Sequence, residues 1–200
     1  MGDSVCDTFW LKFAQRIPLF WLVPSHLRTQ KFYHDKVQKN GYALRYVPLD
    51  MYTPELCLAA VQNYGMVLEY IPWEMRTQEV CLAAVKKDPR AIMFVPESMK
   101  TYELCKIVLR VAGGLIPLIP ESMKTPELCL LAAKSGNHML MSMADSLKTP
   151  EVCLAAVRLN GLQLVYVPPA LQTDDIIEAA LIQNPEAKSY IWKKTLPYKD

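Results

Sequence analysis

Hydrophobic and polar positions recur along the chain with a fixed period of 24 residues. A threonine marks each repeat, and prolines, cysteines and leucines follow it at constant distances. The threonines are Thr29, Thr53, Thr77, Thr101, Thr125, Thr149 and Thr173. Such a period is typical of one small structural unit that is stacked many times. We number each repeat from its threonine, which is position 0, to position 23.

The first half of each repeat predicts an α-helix of about 11 residues. Threonine at position 0 is a preferred N-cap residue, and proline at position 1 fits the first turn of a helix. Glycine at position 12, as at Gly65, is typical of a left-handed residue that ends a helix. Residues 56–61 are apolar without interruption, so we expect neighbouring repeats to cover the helix on several sides.

The second half of each repeat predicts a shorter helix. Apolar residues recur at positions 15, 18 and 22, and this spacing suits a helix. Proline at position 19 disfavours a helical conformation of the residue before it. We therefore expect one or two turns of α- or 3₁₀-helix, followed by a separate turn that begins at the proline.

Together these elements predict an all-α fold, a right- or left-handed α-solenoid of about eight repeats. We expect a divergent capping unit at residues 1–28, regular repeats over residues 29–172, and a capping unit with a tail at residues 173–200, all in a single domain. Glu178 and Lys188 replace apolar residues in the last repeat, as expected of a cap that faces water.

Composition and charge change this picture little. The chain is 52% hydrophobic and 21% charged, with a net charge of +2, which is typical of a globular protein. This small net charge gives no argument for binding of nucleic acids or membranes. The apolar stretch at residues 9–23 is interrupted by Lys12, Arg16 and Pro18, so it predicts neither a membrane span nor a secretion signal.

Five cysteines share position 4 of successive repeats: Cys57, Cys81, Cys105, Cys129 and Cys153. Stacked helices lie about 8–10 Å apart, whereas a disulfide requires Cα atoms within about 7 Å. We expect these cysteines to be buried and reduced, which favours a cytoplasmic location. Five equivalent copies indicate packing and not catalysis, and the histidines show no phase with them, so we predict no metal and no cofactor.

The repeat resembles a known family. Residues 53–61 read Thr-Pro-Glu-Leu-Cys-Leu-Ala-Ala-Val, and the Asn-Gly and Tyr-Val-Pro sequences of other repeats follow at fixed positions. This pattern, over roughly residues 29–192, is similar to a tandem helical repeat of unknown function found in bacteria, some of them host-associated, and in large DNA viruses. The resemblance implies no activity, but it suggests an effector delivered into a host cell. A looser similarity, in period alone, is to the leucine-rich repeat variant.

Two sets of residues are candidates for contact with a partner. Position 17 carries the aromatic residues Tyr46, Tyr70, Phe94 and Tyr166 at the border of the expected core. The repeat from Thr125 is irregular and contains His138, Met139 and Met141. Aromatic and methionine side chains serve both in cores and in binding surfaces. Packing and partner contact therefore both remain open for these residues.

Cations recur at two positions. Lys86, Arg110, Lys134 and Arg158 share position 9, and Arg76, Lys100, Lys124 and Lys148 share position 23. Stacking would place the charges of each set about 10 Å apart. Such a set can bind an acidic protein or a nucleic acid, although cations in the last turn also complement the helix dipole.

We therefore expect a monomeric, non-enzymatic scaffold that binds a protein or peptide on a concave surface. The first alternative is a polyanion-binding protein that uses the position-9 cations. The second alternative is an enzyme, for which the sequence contains no nucleophile–base pair, phosphate-binding loop or metal-ligand spacing.

Overall fold

A computed structural model describes residues 23–136 and 138–192 of the chain. The regular secondary structure of these residues is entirely helical and includes no β-strand. The chain divides into two compact units, Met1–Met99 (the first unit) and Lys100–Asp200 (the second unit). Each unit by itself is an all-α, solenoid-like stack of repeats, which confirms the predicted fold class.

An α-helix begins each of the seven described repeats, and all but one contain ten residues. The first unit contains α1 (Gln30–Lys39), α2 (Pro54–Asn63) and α3 (Gln78–Lys87). The second unit contains α4 (Tyr102–Val111), α5 (Pro126–Ala133), α6 (Pro150–Leu159) and α7 (Asp174–Gln183). The position-0 threonine of α1–α6 accepts a hydrogen bond from the backbone N–H at position 3, so these predicted N-caps are confirmed. Thr173 makes no such bond.

Two 3₁₀ helices follow most α-helices, a long one at positions 12–17 and a short one at positions 20–22. The first unit has Gly41–Tyr46, Leu49–Met51, Gly65–Tyr70, Trp73–Met75, Pro89–Phe94 and Glu97–Met99, preceded by Ser25–Leu27. The second unit has Gly113–Leu118, Glu121–Met123, Leu140–Ser142, Asp145–Leu147, Gly161–Tyr166, Pro169–Leu171 and Pro185–Tyr190. The predicted short helix and proline turn are therefore confirmed, and both are 3₁₀ helices.

The glycines at position 12 have a different role from the predicted one. No described residue has a positive φ, so these glycines do not end the α-helix in a left-handed conformation. The C-cap of α2 is Tyr64, which has an extended backbone. A Cβ atom on Gly41 would lie 2.6 Å from the carbonyl oxygen of Ala60 in the next repeat. Glycine is required here because the neighbouring α-helix leaves no room for a methyl group.

The inner repeats bury largely the same positions in the core. In α2, Leu56, Cys57, Ala60 and Val61 are at most 1% exposed. The long 3₁₀ helix covers them with the side chains of positions 14, 15 and 18, which are Val67, Leu68 and Ile71. Positions 5 and 6 of the α-helix are only half-buried, so cover from neighbouring repeats is less complete than the apolar run predicts. Full burial of one such aliphatic side chain stabilises the fold by about 1.5–3 kcal/mol.

In three repeats the position-10 side chain joins the α-helix to the preceding repeat. The Asn63 side chain donates to the carbonyl oxygen of Gln38 at 2.8 Å and accepts from the backbone N–H of Gly41 at 3.2 Å. Ser135 and Gln183 make equivalent bonds inside the second unit. These bonds satisfy backbone groups that the end of an α-helix leaves without partners.

The predicted end caps are only partly within the described residues. Glu178 and Lys188 are exposed, as expected of a polar terminal repeat. Most of the predicted capping unit at residues 1–28 lies outside the described residues, which include only Val23 to Arg28 of it. The single domain and the count of about eight repeats stay predictions.

Candidate protein-contact surfaces

The long 3₁₀ helices have one buried and one exposed side. With three residues per turn, positions 12, 15 and 18 align on one side and positions 13 and 16 on another. In the first long 3₁₀ helix, Leu44 is buried, whereas Tyr42 and Arg45 are exposed. Position 17 lies beside the exposed positions, and there Tyr46 is exposed while Tyr70 and Phe94 are half-buried. The predicted position-17 aromatics of the first unit therefore border both the core and the solvent.

Arg45 connects two of these aromatic residues. Its guanidinium lies 5.2 Å from the ring centroid of Tyr46 and 5.8 Å from that of Tyr70 in the next repeat. A cation within about 6 Å of an aromatic face is attracted to it. The two tyrosines therefore flank one arginine across neighbouring repeats, and this contact orders both rings.

A second pair of tyrosines lies near the start of the first long 3₁₀ helix. The ring centroids of Tyr42 and Tyr64 are 4.3 Å apart. A hydrogen bond with Tyr64 raises the pKa of Tyr42 to about 12, so its hydroxyl is neutral at physiological pH. Arg90, which forms an exposed ion pair with Asp88 at 2.7 Å, acts electrostatically on both tyrosines. This corner of the surface thus combines aromatic and charged groups.

The sequence analysis missed three exposed apolar residues of this region. Leu49 and Trp73 share position 20 and are 72% and 62% exposed, and Met93 at position 16 is 55% exposed. The Arg76 guanidinium lies 4.3 Å from the Trp73 ring centroid. The repetition of large apolar residues at position 20 was the available signal. We use the name first-unit 3₁₀ surface for Tyr42, Arg45, Tyr46, Leu49, Tyr70, Trp73, Met93 and Phe94.

The predicted contact residues of the second unit differ in exposure. His138 and Met141 are exposed, and Tyr166 is half-buried. Met139 is wholly buried, so its prediction as a contact residue is wrong. Its side chain fills the core in the repeat whose long 3₁₀ helix is reduced to Leu140–Ser142.

The irregular repeat from Thr125 has a structural explanation. Helix α5 ends two residues earlier than the other α-helices, and Gly136 in the following turn lies against the backbone of Gly113 and Gly114. A Cβ atom at residue 136 would overlap that backbone, so a glycine is needed there. The buried side chain of Gln163 accepts from the Leu140 N–H at 3.1 Å and donates to the Ala156 carbonyl at 3.1 Å. A buried polar side chain from the next repeat thus satisfies backbone groups around the shortened segment.

The position-9 cations are exposed, as a binding role requires. Lys86 lies near the end of α3 in the first unit, and Arg110, Lys134 and Arg158 lie at the ends of α4, α5 and α6 in the second. Within the described residues none of the four forms an ion pair. Their charges are therefore open to solvent in each unit.

The four position-23 cations are engaged within the fold, because Lys124 and Lys148 form ion pairs with Glu121 and Asp145 of their own repeats and the other two are buried. Arg76 and Lys100 are only 6% exposed. Arg76 donates to the carbonyl oxygens of Ile71 at 2.8 Å in its own repeat and of Phe94 at 2.6 Å in the next. Lys100 reaches the carbonyl of Leu118 at 3.0 Å, the equivalent atom one repeat onward. Tyr52 and Gln172 make the same kind of bridge with neutral donors.

The cysteines do not have the properties of activated nucleophiles. All five cysteines at position 4 are fully buried and free of disulfides, which confirms the predicted packing role. Desolvation by burial raises the pKa of Cys57 and of Cys153 to about 11. A reactive thiolate needs the opposite shift. The described part of the chain holds no group of His, Cys, Asp or Glu side chains suited to a metal ion.

Comparison with known proteins gives one match. Residues 35–76 match the family described as a domain of unknown function, DUF4116. The match runs from position 6 of one repeat to position 23 of the next, and the description assigns no activity. No curated protein and no solved structure matches the chain. None of the described helices is long and apolar enough to cross a membrane.

Proposed function

We propose that the chain is a non-enzymatic scaffold that binds a protein or peptide through the first-unit 3₁₀ surface. The observation that carries this proposal is the distribution of exposed apolar residues among the described residues of that unit. The large ones are Tyr42, Tyr46, Leu49, Tyr64, Trp73 and Met93, and none lies within an α-helix. They are concentrated on the 3₁₀ helices.

The exposed side of the α-helices in the same unit has a different chemistry. Its outermost residues in α2 and α3 are polar or charged and include Gln62, Glu79 and Lys87. Protein interfaces are enriched in tyrosine, tryptophan, methionine and arginine, and depleted in lysine and glutamate. The two sides of the first unit therefore differ as a binding surface differs from an ordinary solvated surface.

The contacts within the first-unit 3₁₀ surface favour binding further. Arg45 holds Tyr46 and Tyr70, and Arg76 lies over Trp73 while bonded to buried carbonyls. Side chains that are ordered before binding lose less conformational entropy when a partner arrives. The amphipathic tyrosines offer both apolar area and a hydroxyl for hydrogen bonds.

Substitution of the most exposed anchors tests the proposal. The variant Tyr46→Ala/Trp73→Ala/Met93→Ala removes three such side chains, and Gln62→Ala/Glu79→Ala/Lys87→Ala is a matched control on the α-helical side. We expect partners captured by the natural chain to bind the control equally and the first variant at least about 30-fold more weakly, because anchor residues each contribute about 2 kcal/mol or more. Circular dichroism verifies that both variants are folded.

If the Tyr46→Ala/Trp73→Ala/Met93→Ala variant binds every partner as tightly as the natural chain does, the proposed surface is not the binding site. Loss of binding in the α-helical control alone would move the site to the other side of the unit. We further propose that the protein acts in a reducing compartment, such as the cytosol of its own or a host cell, because five free cysteines occupy its core.

A further inference from the structure

The ends of the α-helices in the second unit combine exposed cations with exposed aliphatic residues. We call this region the second-unit basic–apolar edge, and its members are Arg110, Val111, Lys134, Arg158, Leu159 and Ile182. Val111 is 68% exposed and Ile182 is 77% exposed. We propose that this edge binds an acidic amphipathic helix of a partner protein.

Neighbouring members of the edge are held together by direct contacts. Helix α4 packs against α5, α5 against α6, and α6 against α7. The Ser135 hydroxyl donates to the Leu109 carbonyl, which places Lys134 close to Arg110. The Gln183 side chain accepts from the Gly161 N–H, which brings Ile182 near the end of α6. Exposed cations therefore lie at the ends of the neighbouring helices α4, α5 and α6, and exposed aliphatic residues at the ends of α4, α6 and α7.

A groove at the edge supplies a site for an apolar side chain. It has a volume of about 440 Å³ and lies between α6 and α7, with Leu154, Arg158, Ala179 and Ile182 among its lining residues. A leucine side chain that enters this groove would place a neighbouring carboxylate within reach of Arg158. Burial of one leucine contributes about 1.5–3 kcal/mol.

The same groove argues against a phospholipid surface or a nucleic acid as the occupant. Asp175 and Glu178 line its other wall, and their carboxylates would repel a continuous array of phosphates. A helix carries its charges at separate positions, so it can place carboxylates beside the three cations and only apolar side chains beside the acidic wall. The exposed aliphatic residues also gain nothing from the sugar–phosphate backbone of a nucleic acid.

Comparison with the helix ends of the first unit shows which residues of the edge have no counterpart there. At positions 9 and 10 the helices of the first unit carry Gln62, Asn63, Lys86 and Lys87 and, in α1, Gln38 and Lys39, with no aliphatic residue among them. Basic residues therefore occur at the helix ends of both units. At positions 9 and 10, their combination with aliphatic residues is found in the second unit and not in the first. The first unit has a comparable groove between α2 and α3, lined by Leu58, Leu82, Lys86 and Lys87 among others, but its helix ends carry positive charge without aliphatic residues at positions 9 and 10.

A designed peptide tests the proposal without knowledge of the natural partner. The probe is a stapled helix of about 18 residues with leucine along one face and glutamate at both borders of that face. It is about 27 Å long at 1.5 Å per residue, enough to cross three α-helices at about 8–10 Å spacing. Fluorescence anisotropy measures its binding to the full chain. Anionic vesicles that contain phosphatidylserine, and heparin, serve as the competing probes.

We expect the triple variant Arg110→Gln/Lys134→Gln/Arg158→Gln and the triple variant Val111→Ser/Leu159→Ser/Ile182→Ser each to weaken peptide binding by about tenfold or more. The control Lys39→Gln/Lys86→Gln/Lys87→Gln removes three exposed cations from the first unit and should leave binding unchanged. Replacement of the probe's glutamates by glutamine should have the same effect as loss of the three cations of the second unit.

Three outcomes would overturn the proposal. Binding that needs the cations but not the aliphatic residues would identify a general polyanion site. Binding of vesicles or heparin in preference to the peptide would identify a different partner class. If both second-unit variants bind the peptide as tightly as the natural chain does, the edge is not the binding site. The Tyr46→Ala/Trp73→Ala/Met93→Ala variant should bind the peptide normally, so this test is independent of the proposed function.

Discussion

Single side chains at fixed positions decide how closely neighbouring repeats pack. Glycine at position 12 lies against the carbonyl of an alanine in the next α-helix, as Gly41 does against Ala60 and Gly113 against Ala132. The missing methyl group, and not a left-handed backbone, explains these glycines. Interiors of proteins are close-packed, so an added methyl group forces the two backbones apart.

Two adjacent glycines provide a direct test at this scale. A Cβ on Gly113 would overlap the Ala132 backbone, whereas a Cβ on Gly114 would meet nothing within 4 Å. We expect Gly113→Ala to reduce the free energy of unfolding by about 1–3 kcal/mol. Gly114→Ala should leave it unchanged or raise it by about 0.4–1 kcal/mol, because alanine restricts the unfolded chain. Urea unfolding measures both, and equal destabilisation would contradict the packing explanation.

The buried thiols predict a loss of stability at alkaline pH. Folding raises the pKa of Cys57 and Cys153 to about 11, whereas a thiol of the unfolded chain ionises near about pH 8.5. Between these values the unfolded chain releases protons that the folded chain retains, so the free energy of unfolding falls as the pH rises. The slope is about 1.4 kcal/mol per pH unit for each thiol.

The measurement is urea unfolding at about pH 8 and about pH 10, which bracket the start of this window. We expect the Cys57→Ala/Cys153→Ala variant to lose less stability between the two pH values than the natural chain. The tyrosines, including Tyr52, titrate in both proteins and cancel in the comparison. The same pH dependence in both proteins would show that these thiols are not protected by burial.

At the scale of elements, some position-23 side chains link successive 3₁₀ helices. In Arg76 the donors reach carbonyls at the end of the long 3₁₀ helix of their own repeat and of the next repeat, those of Ile71 and Phe94. These carbonyls lie at 3₁₀ helix ends, where the backbone supplies no donor. Different residue types serve this role because the requirement is a long side chain with a donor at its tip. Lys124 and Lys148 instead pair with acidic residues of their own repeats.

Replacement of Arg76 tests the link. Arg76→Met keeps an apolar stem of similar length but removes all three hydrogen bonds to the carbonyls of Glu69, Ile71 and Phe94. We expect the free energy of unfolding to fall by about 1–3 kcal/mol. Arg76→Lys should cost less, because Lys100 makes one such bond at the equivalent position. A methionine variant as stable as the natural chain would show that the bridge contributes nothing.

The sequence predicted the elements well and the contacts between them less well. The period, the threonine caps and the buried cysteines follow from local preferences and from equivalence among repeats, and the structure confirms them. Glycine at position 12 and the cations at position 23 each had two physical explanations. Only the position of a neighbouring carbonyl oxygen distinguishes between them, and the sequence does not contain that position. Met139 was misassigned for a different reason: it occupies position 14, which other repeats also bury, as at Ala91 and Gln163, and the irregular sequence around it concealed that equivalence.

The candidate surfaces could be predicted only in part. Tyr46, Tyr70 and Phe94 followed from the position-17 series, but their exposure did not. Trp73 and Met93 were missed because an apolar residue in one repeat is usually read as core. The aliphatic members of the second-unit basic–apolar edge were missed for the same reason. Exposure is a property of the packed neighbours, so these residues became visible only in the structure.

At the scale of the whole molecule, one repeat serves two purposes. Its α-helix and the buried positions of its 3₁₀ helices are nearly constant and hold each unit together. Its exposed positions vary from repeat to repeat, and they carry aromatic residues in the first unit and a basic–apolar edge in the second. Variation on a constant frame is how repeat proteins create binding surfaces.

Site-specific photocrosslinking tests this account most directly. The photoreactive residue benzoylphenylalanine is placed at Tyr46 in one protein and at Gln62, on the α-helical side of the same unit, in another. Both residues are exposed, so both substitutions should be tolerated. We predict that the partner crosslinks to the photoreactive residue that replaces Tyr46 and not to the one that replaces Gln62. Crosslinks to the residue that replaces Gln62 alone would contradict the assignment of the first-unit 3₁₀ surface as the site of partner binding.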